Sequence, residues 1–305
     1  MPVKPNTQRK IDWGLTRIDA LTMVVVVIAI SSSGPIIALS TAPVLAMATW
    51  RCIFGSIFTF PFAVKTGQLK SLTKIQFRII LASGLALAIH FCLWIPSVRL
   101  TSVANSVALV ATQPIWMLLM SKWQGYEIPR RAWIGISIAV SGVLIVVGID
   151  FQVSIEALLG DFMSLASAVA AGAYLILGGK VRQEVANSTY TAIVYAVSAI
   201  LIAAVALTLD TQLWGFSQRD WWLIFALTFG AQLLGHSLMS RLMSSTSSNV
   251  VGIAVLFEPP GAAIFASFLL HQHLQPAAIV GMITILLGLA IVVWQDSKAL
   301  RPQTN

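Results

Sequence analysis

Residues 101–121 read TSVANSVALVATQPIWMLLMS, and residues 246–266 read TSSNVVGIAVLFEPPGAAIFA. Each stretch opens on Thr-Ser, continues through apolar residues, and breaks where a polar side chain meets proline, at Gln113-Pro114 in the first and Glu258-Pro259 in the second. The two share an offset of 145 residues. Outward from them the correspondence continues at an offset of 146: Gly84 falls on Gly230, His90 on His236, Gly135 on Gly281 and Gly142 on Gly288. Small insertions or deletions between the blocks explain the one-residue change. The chain is therefore built from two copies of one unit.

Composition says which solvent that unit meets. Only 10% of the 305 residues are charged, 57% are hydrophobic and the mean hydropathy is +0.86, against roughly 25% charged residues in a soluble domain. The apolar residues form blocks long enough to span a bilayer, which takes about 20 residues per helix. Breaking the chain at its polar clusters gives spans near 20–39, 43–64, 75–96, 101–121, 131–149, 159–179, 190–209, 220–242, 247–269 and 276–294. The expectation is an all-α integral membrane protein of ten transmembrane helices. Its parts are a tail, 1–18; a first five-helix repeat, 19–149; a linker, 150–158; a second repeat, 159–294; and a tail, 295–305. Connectors this short exclude a large extramembrane catalytic domain.

Five spans per copy is an odd number, so the second copy enters the membrane from the opposite side, and an in-plane pseudo-two-fold axis relates the halves. With both termini cytoplasmic, 16 Lys and Arg residues lie on the inner side against Arg99 and Arg219 outside, with Arg51 inside a span. That bias fixes the orientation. The net charge of +8 is scattered singly through connectors and so indicates membrane orientation, with no nucleic-acid partner. Cys52 and Cys92 fall within apolar blocks and read as packing residues. The basic leader before Leu21 reads as a cytoplasmic tail on an uncleaved helix, because a second apolar block follows at once from Pro43.

Two inverted copies can pack in two exchanged ways about one central site, which makes a transporter the leading class. Helix breaks mark that site, since backbone groups freed at membrane depth are tolerated only against protein or a water-filled cavity. The breaks are Ser31-Ser32-Ser33-Gly34-Pro35, Gln113-Pro114 and Glu258-Pro259-Pro260-Gly261. Ionisable and amide groups inside spans should face protein or water for the same reason. His90 and His236 are either hydrogen-bonded packing residues or substrate contacts, and two histidines are too few for a metal site. Arg51, without a basic counterpart in the other half, either holds an anionic substrate group or pairs with backbone carbonyls. Glu258 either carries a coupled proton or supports the break around it, and Gln113 occupies its place in the first half.

Helical spacing groups partners around these residues. Asn105, Leu109, Thr112 and Trp116 form one stripe; Ser164, Ser167, Ala171 and Tyr174 form another; Gln232, His236 and Met239 share a face, and Trp94 lies one turn from His90. Small polar stripes also serve helix packing. Most tryptophans sit near span ends as belt residues, which leaves Trp50, Trp94 and Trp116 as possible cavity walls. The expected substrate contacts are His90, Trp94, Asn105, Trp116, Tyr174 and His236, with Glu258, Gln113 and Arg51 in coupling or structural roles. The expected cavity is lined mainly by helices 1, 3, 4, 6, 8 and 9.

The ten helices in inverted repeats, Arg51 in helix 2, Thr101-Ser102-Val103-Ala104 leading into Gln113-Pro114, and Leu256-Phe257-Glu258-Pro259 in helix 9 together resemble the drug/metabolite transporter superfamily. The resemblance is to its EamA-type bacterial exporters, covers nearly the whole chain, and is greatest for the YddG-type aromatic amino-acid exporters. It implies alternating-access export of amino acids, aromatic and other neutral ones, or related metabolites across the bacterial inner membrane, without a cofactor. The family often places Gly-Glu after helices 4 and 9; here Gly125-Tyr126-Glu127 is one residue longer and His271-Gln272-His273 has no acid. That departure bears on the subfamily more than on the fold.

Other readings are weaker. A multidrug, nucleotide-sugar or phosphorylated-metabolite carrier of the same superfamily is the runner-up, although a strongly anionic substrate calls for several central cations and only Arg51 is present. A membrane-embedded enzyme lacks converging catalytic motifs. A channel calls for a polar pore stripe. The partners implied are a small-molecule substrate and the lipid bilayer, and the sequence leaves the oligomeric state open.

Overall fold

A computed structural model describes residues 17–125, 130–182, 184–239, 242, 256–272 and 275–299. The two tails as far as Thr16 and from Leu300, and Tyr126, Glu127, Arg241, Thr246, Ser247 and His273, lie outside the described residues.

The helices begin and end where the local chemistry allows. Helix α1 (Arg17–Ser31) gives way at Ser32 to α2 (Ser33–Leu39). Helix α3 (Val44–Thr66) stops at Gly67, whose φ of 69° closes the last turn, a conformation that costs glycine little. A capping box between Thr73 and Gln76 opens α4 (Lys74–Leu100). Ser102, Ser154 and Ser217 each accept a backbone N–H to start α5 (Val103–Val110), α8 (Ile155–Val181) and α10 (Gln218–Leu227). Between these lie α6 (Gln113–Trp123), α7 (Arg130–Val153) and α9 (Asn187–Thr208). Helix α10 runs into a π-helical segment, Thr228–Ser237, and the chain closes with α11 (Glu258–Leu270) and α12 (Pro276–Ala299). Only Ser154 separates α7 from α8, so the region read as a linker, 150–158, is largely helical.

Six helical stretches among the described residues are long and apolar enough to cross a membrane: Ile18–Leu39, Val44–Thr66, Lys74–Leu100, Val103–Trp123, Ile155–Val181 and Asn187–Thr208. Their outward faces carry large apolar side chains, with Phe62 60% and Ile200 69% exposed. Such a surface is compatible with hydrocarbon as its solvent, and the fold is that of a multi-pass membrane protein.

Packing follows the repeat. Helices α3 and α9 pack together, as do α7 and α12; each pair joins equivalent elements of the two halves. Other contacts come in matched sets: α4 meets α8 and α9, while the π segment meets α1 and α3; α6 meets α8, while α11 meets α1. Exchanging the halves carries each of these contacts onto another of the same set. The α7–α12 crossing also gives the direction. A Cβ on Gly135 would lie 2.7 Å from the Gly288 carbonyl oxygen, and one on Gly142 would lie 2.7 Å from that of Gly281. One number rises as the other falls, so the helices are antiparallel, and small residues let their backbones meet.

Both ends of this bundle are tied. At the Val44 end of α3, Asp220 accepts hydrogen bonds from Ser40 Oγ (2.7 Å), Thr41 N (2.7 Å), Thr41 Oγ1 (2.8 Å) and Ser217 Oγ (2.6 Å). Arg99 donates there to the carbonyls of Ser40 and Ala42. At the Thr66 end, Thr66 meets Thr189 (2.8 Å), and Gln76 donates to Glu184 (2.7 Å).

Candidate functional site

The middle of the bundle encloses a cavity of about 50 Å³, room for a few waters. Three broken elements reach it. Ile30 and Ser33 flank the α1–α2 break, Val110, Ala111 and Gln113 flank the α5–α6 break, and Glu258 is the first residue of α11. Gln113 and Glu258 each begin a half-helix with proline directly after, where a missing N–H costs nothing. The positive ends of both half-helices therefore face one space from the two halves of the repeat.

Continuous helices supply the rest. Leu87, His90 and Trp94 line the cavity from one face of α4, and Ala171, Tyr174 and Leu175 from one face of α8. Arg51 comes from α3. His236, within the π segment, and Met239, just beyond it, complete the wall. All six expected helices contribute, and α3 joins them through Arg51.

His90 sits 3.1 Å, through Nδ1, from the Ser167 carbonyl oxygen, and its ring stacks on Trp94 at 5.7 Å. A carbonyl only accepts, so Nδ1 carries the hydrogen. Tyr174 stacks on Tyr190 at 6.3 Å. Arg51 is wholly buried: Nε donates to Gln232 Oε1 (2.7 Å), Gln232 Nε2 donates back to the Arg51 carbonyl (3.2 Å), and the guanidinium lies 4.2 Å from the centre of the Phe91 ring. Its Nη1 and Nη2, and the indole Nε1 of Trp94, are buried and have no hydrogen-bond partner among the described residues.

The structure thus gathers His90, Trp94, Tyr174, His236, Gln113, Glu258 and Arg51 around one cavity and leaves Asn105 and Trp116 out of its lining. The stripe that grouped Asn105 with Trp116 assumes one unbroken helix. The backbone turns at Ala111-Thr112, so the phase set by α5 is lost in α6. Asn105 is buried in α5, and Trp116 donates to Thr112 Oγ1 at 3.3 Å. Trp50 also lies elsewhere, edge-on to Trp214 at 4.4 Å and donating to the Leu213 carbonyl at 2.7 Å. Phe91 is not signalled by the sequence, whereas Gln232 stands out there beside His236 but without its partner, Arg51. Among the described residues, no group of three or more His, Cys, Asp or Glu is placed to hold a metal ion.

The profile of the EamA-like transporter family matches residues 17–148 and again residues 158–294. The chain belongs to the EamA-like transporter family. It is accordingly a membrane transporter of the drug/metabolite transporter superfamily, carrying that family's unit twice. This EamA-like chain is 20% identical over 222 residues to a protein of Bacillus subtilis (strain 168) described as uncharacterized transporter YwfM, a match covering 70% of this chain and 72% of that one. Its fold is similar to that of a solved crystal structure, with a TM-score of 0.64 over 93% of this chain and 98% of the other, at 14% identity.

Proposed function

We propose that this transporter exports neutral amino acids, aromatic ones foremost, across the bacterial inner membrane by alternating access. In this reading ten spans cross the bilayer with both termini cytoplasmic. The halves, 19–149 and 159–294, rock about the 150–158 joint to open the central cavity to one side and then the other.

The observation that carries the reading is the mixture of groups on the cavity wall. One guanidinium, Arg51, and one carboxyl group, Glu258, share the space with two half-helix N-termini and the rings of Trp94 and Tyr174. A zwitterion with an aromatic side chain is complementary to that set: its carboxylate suits the cationic and N–H-bearing groups, its ammonium the carboxyl group, and its ring the aromatic wall. A phosphorylated sugar would call for more cations than Arg51 supplies. A cavity of about 50 Å³ is too small for an amino acid, so this conformation is a contracted one that widens on binding.

Ligand-induced stabilisation of the detergent-purified protein tests the substrate class. A ligand at 100 times its Kd stabilises by about 2.7 kcal/mol. Phenylalanine, tyrosine or tryptophan is therefore expected to raise the melting temperature, while hexose phosphates and quaternary ammonium drugs are not. Stabilisation by the phosphates or drugs alone would contradict the reading.

A further inference from the structure

The buried wall of the cavity holds donors that meet no acceptor among the described residues. Arg51 is 0% exposed and Trp94 is 4% exposed. Among the described residues, Arg51 Nη1 and Nη2 and Trp94 Nε1 have no hydrogen-bond partner, and both residues line the same cavity. Leaving such donors unpaired in a low-dielectric interior is costly, most of all for a charged group. The geometry accounts for why the guanidinium stays in place. Gln232 grips its Nε at 2.7 Å and binds the Arg51 carbonyl in return, and the Phe91 ring lies 4.2 Å from Cζ. These contacts occupy Nε and one face of the plane while leaving the two terminal nitrogens, the edge that binds a carboxylate in bidentate fashion.

The grip on Nε depends on the π-helical segment. Gln232 and His236 both lie in Thr228–Ser237, where the wider turn sets side chains at a different angular step from that of an α-helix. Gln232 is turned to Arg51 while His236 lines the cavity. Wider turns of this kind recur at functional sites.

We propose that Arg51 is the carboxylate anchor of the transported molecule, with Trp94 Nε1 as an auxiliary donor and Gln232 as the positioning residue that presents the guanidinium. The ligand class is a free carboxylate small enough to pair both terminal nitrogens. This assignment rests on the amino-acid reading above and sharpens it: the acid group, more than the side chain, is what the site requires.

The test uses proteoliposomes of the full chain and three probes of one shape: phenylalanine, phenylalaninamide and 3-phenylpropionate. In the wild type, phenylalanine is expected to compete for transport at least about tenfold better than its amide, as a charge-assisted pair predicts. Arg51→Gln is expected to erase that preference. Gln232→Leu, which leaves Arg51 in place but unheld, is expected to reduce the acid-to-amide ratio several-fold, an effect that a purely structural role would not produce. The wild-type comparison needs no variant, so the proposal remains testable if Arg51→Gln fails to fold. Equal competition by phenylalanine and phenylalaninamide in the wild type would overturn the anchor and leave the amino-acid reading intact. Transport of 3-phenylpropionate without phenylalanine would uphold the anchor and overturn the amino-acid reading. A folded Arg51→Gln protein that still prefers the acid would overturn the assignment to Arg51.

Discussion

Glu258 and Gln113 hold equivalent places in the two halves, each the first residue of a half-helix at the cavity, yet only Glu258 carries a titratable group. Glu258→Gln therefore makes the halves alike at this point while keeping shape and most hydrogen bonding. With the carboxyl group gone, a zwitterion loses the partner for its ammonium group. Phenylalanine transport is expected to fall about tenfold or more, and transport of 3-phenylpropionate, which has no ammonium group, is expected to hold. The same variant reads coupling, because glutamine cannot titrate: if Glu258 carries a proton through the cycle, dependence on a pH gradient disappears with it. Wild-type phenylalanine transport with full gradient dependence in this variant would remove Glu258 from both roles. At this scale the sequence discloses much, because a polar side chain inside a hydrocarbon-spanning block has few places to go. Arg51, His90, His236, Gln113 and Glu258 all stand out on that ground, and all line the cavity. Asn105 stands out equally but is buried within the bundle, so polarity at depth indicates burial in protein without selecting the cavity.

The elements carry information that apolar periodicity conceals. A helix with lipid on one side and protein on the other is apolar all round, so its sequence does not fix its rotation as a soluble amphipathic helix does. For this reason the break before Gln113 was legible from Pro114 while the angle between α5 and α6 was not, and nothing in Thr228–Ser237 announces a π-helical segment. Glycines are a better guide. Gly135 and Gly142 recur as Gly281 and Gly288, and the structure brings the four together where α7 crosses α12. A Cβ on Gly142 would lie 2.6 Å from the Ile285 backbone nitrogen and 2.7 Å from the Gly281 oxygen, and backbone atoms cannot step aside as a side chain can. Gly142→Ala is expected to cost about 1–3 kcal/mol through overpacking, seen as a lower melting temperature in detergent. Gly179→Ala in α8 is the control, since a Cβ there meets nothing within 4 Å, and it should melt at or above the wild-type temperature. Equal losses in the two variants would contradict the close crossing.

For the whole molecule, the repeat is what turns a set of buried groups into a machine. The α3–α9 and α7–α12 pairs and the contacts that α4 and the π segment make map onto one another when the halves are exchanged, and the antiparallel α7–α12 crossing fits an axis lying in the membrane plane. The two ends of α3 are tied by different bonds, Asp220 with Ser40 and Thr41 at one end, Thr66 with Thr189 at the other, as the proposed opening of one end at a time requires. The repeat was legible because helix breaks and glycines recur at a nearly constant offset. The closures were not, since they join residues 123 to 180 positions apart in the chain. The central claim is that the cavity between the halves carries neutral aromatic amino acids. Uptake of labelled phenylalanine by proteoliposomes, measured beside a hexose phosphate and a quaternary ammonium drug, with and without a pH gradient, tests it most directly. The account predicts saturable phenylalanine uptake above that of protein-free liposomes, with the other two at background; saturable uptake of either of those with phenylalanine at background would contradict it.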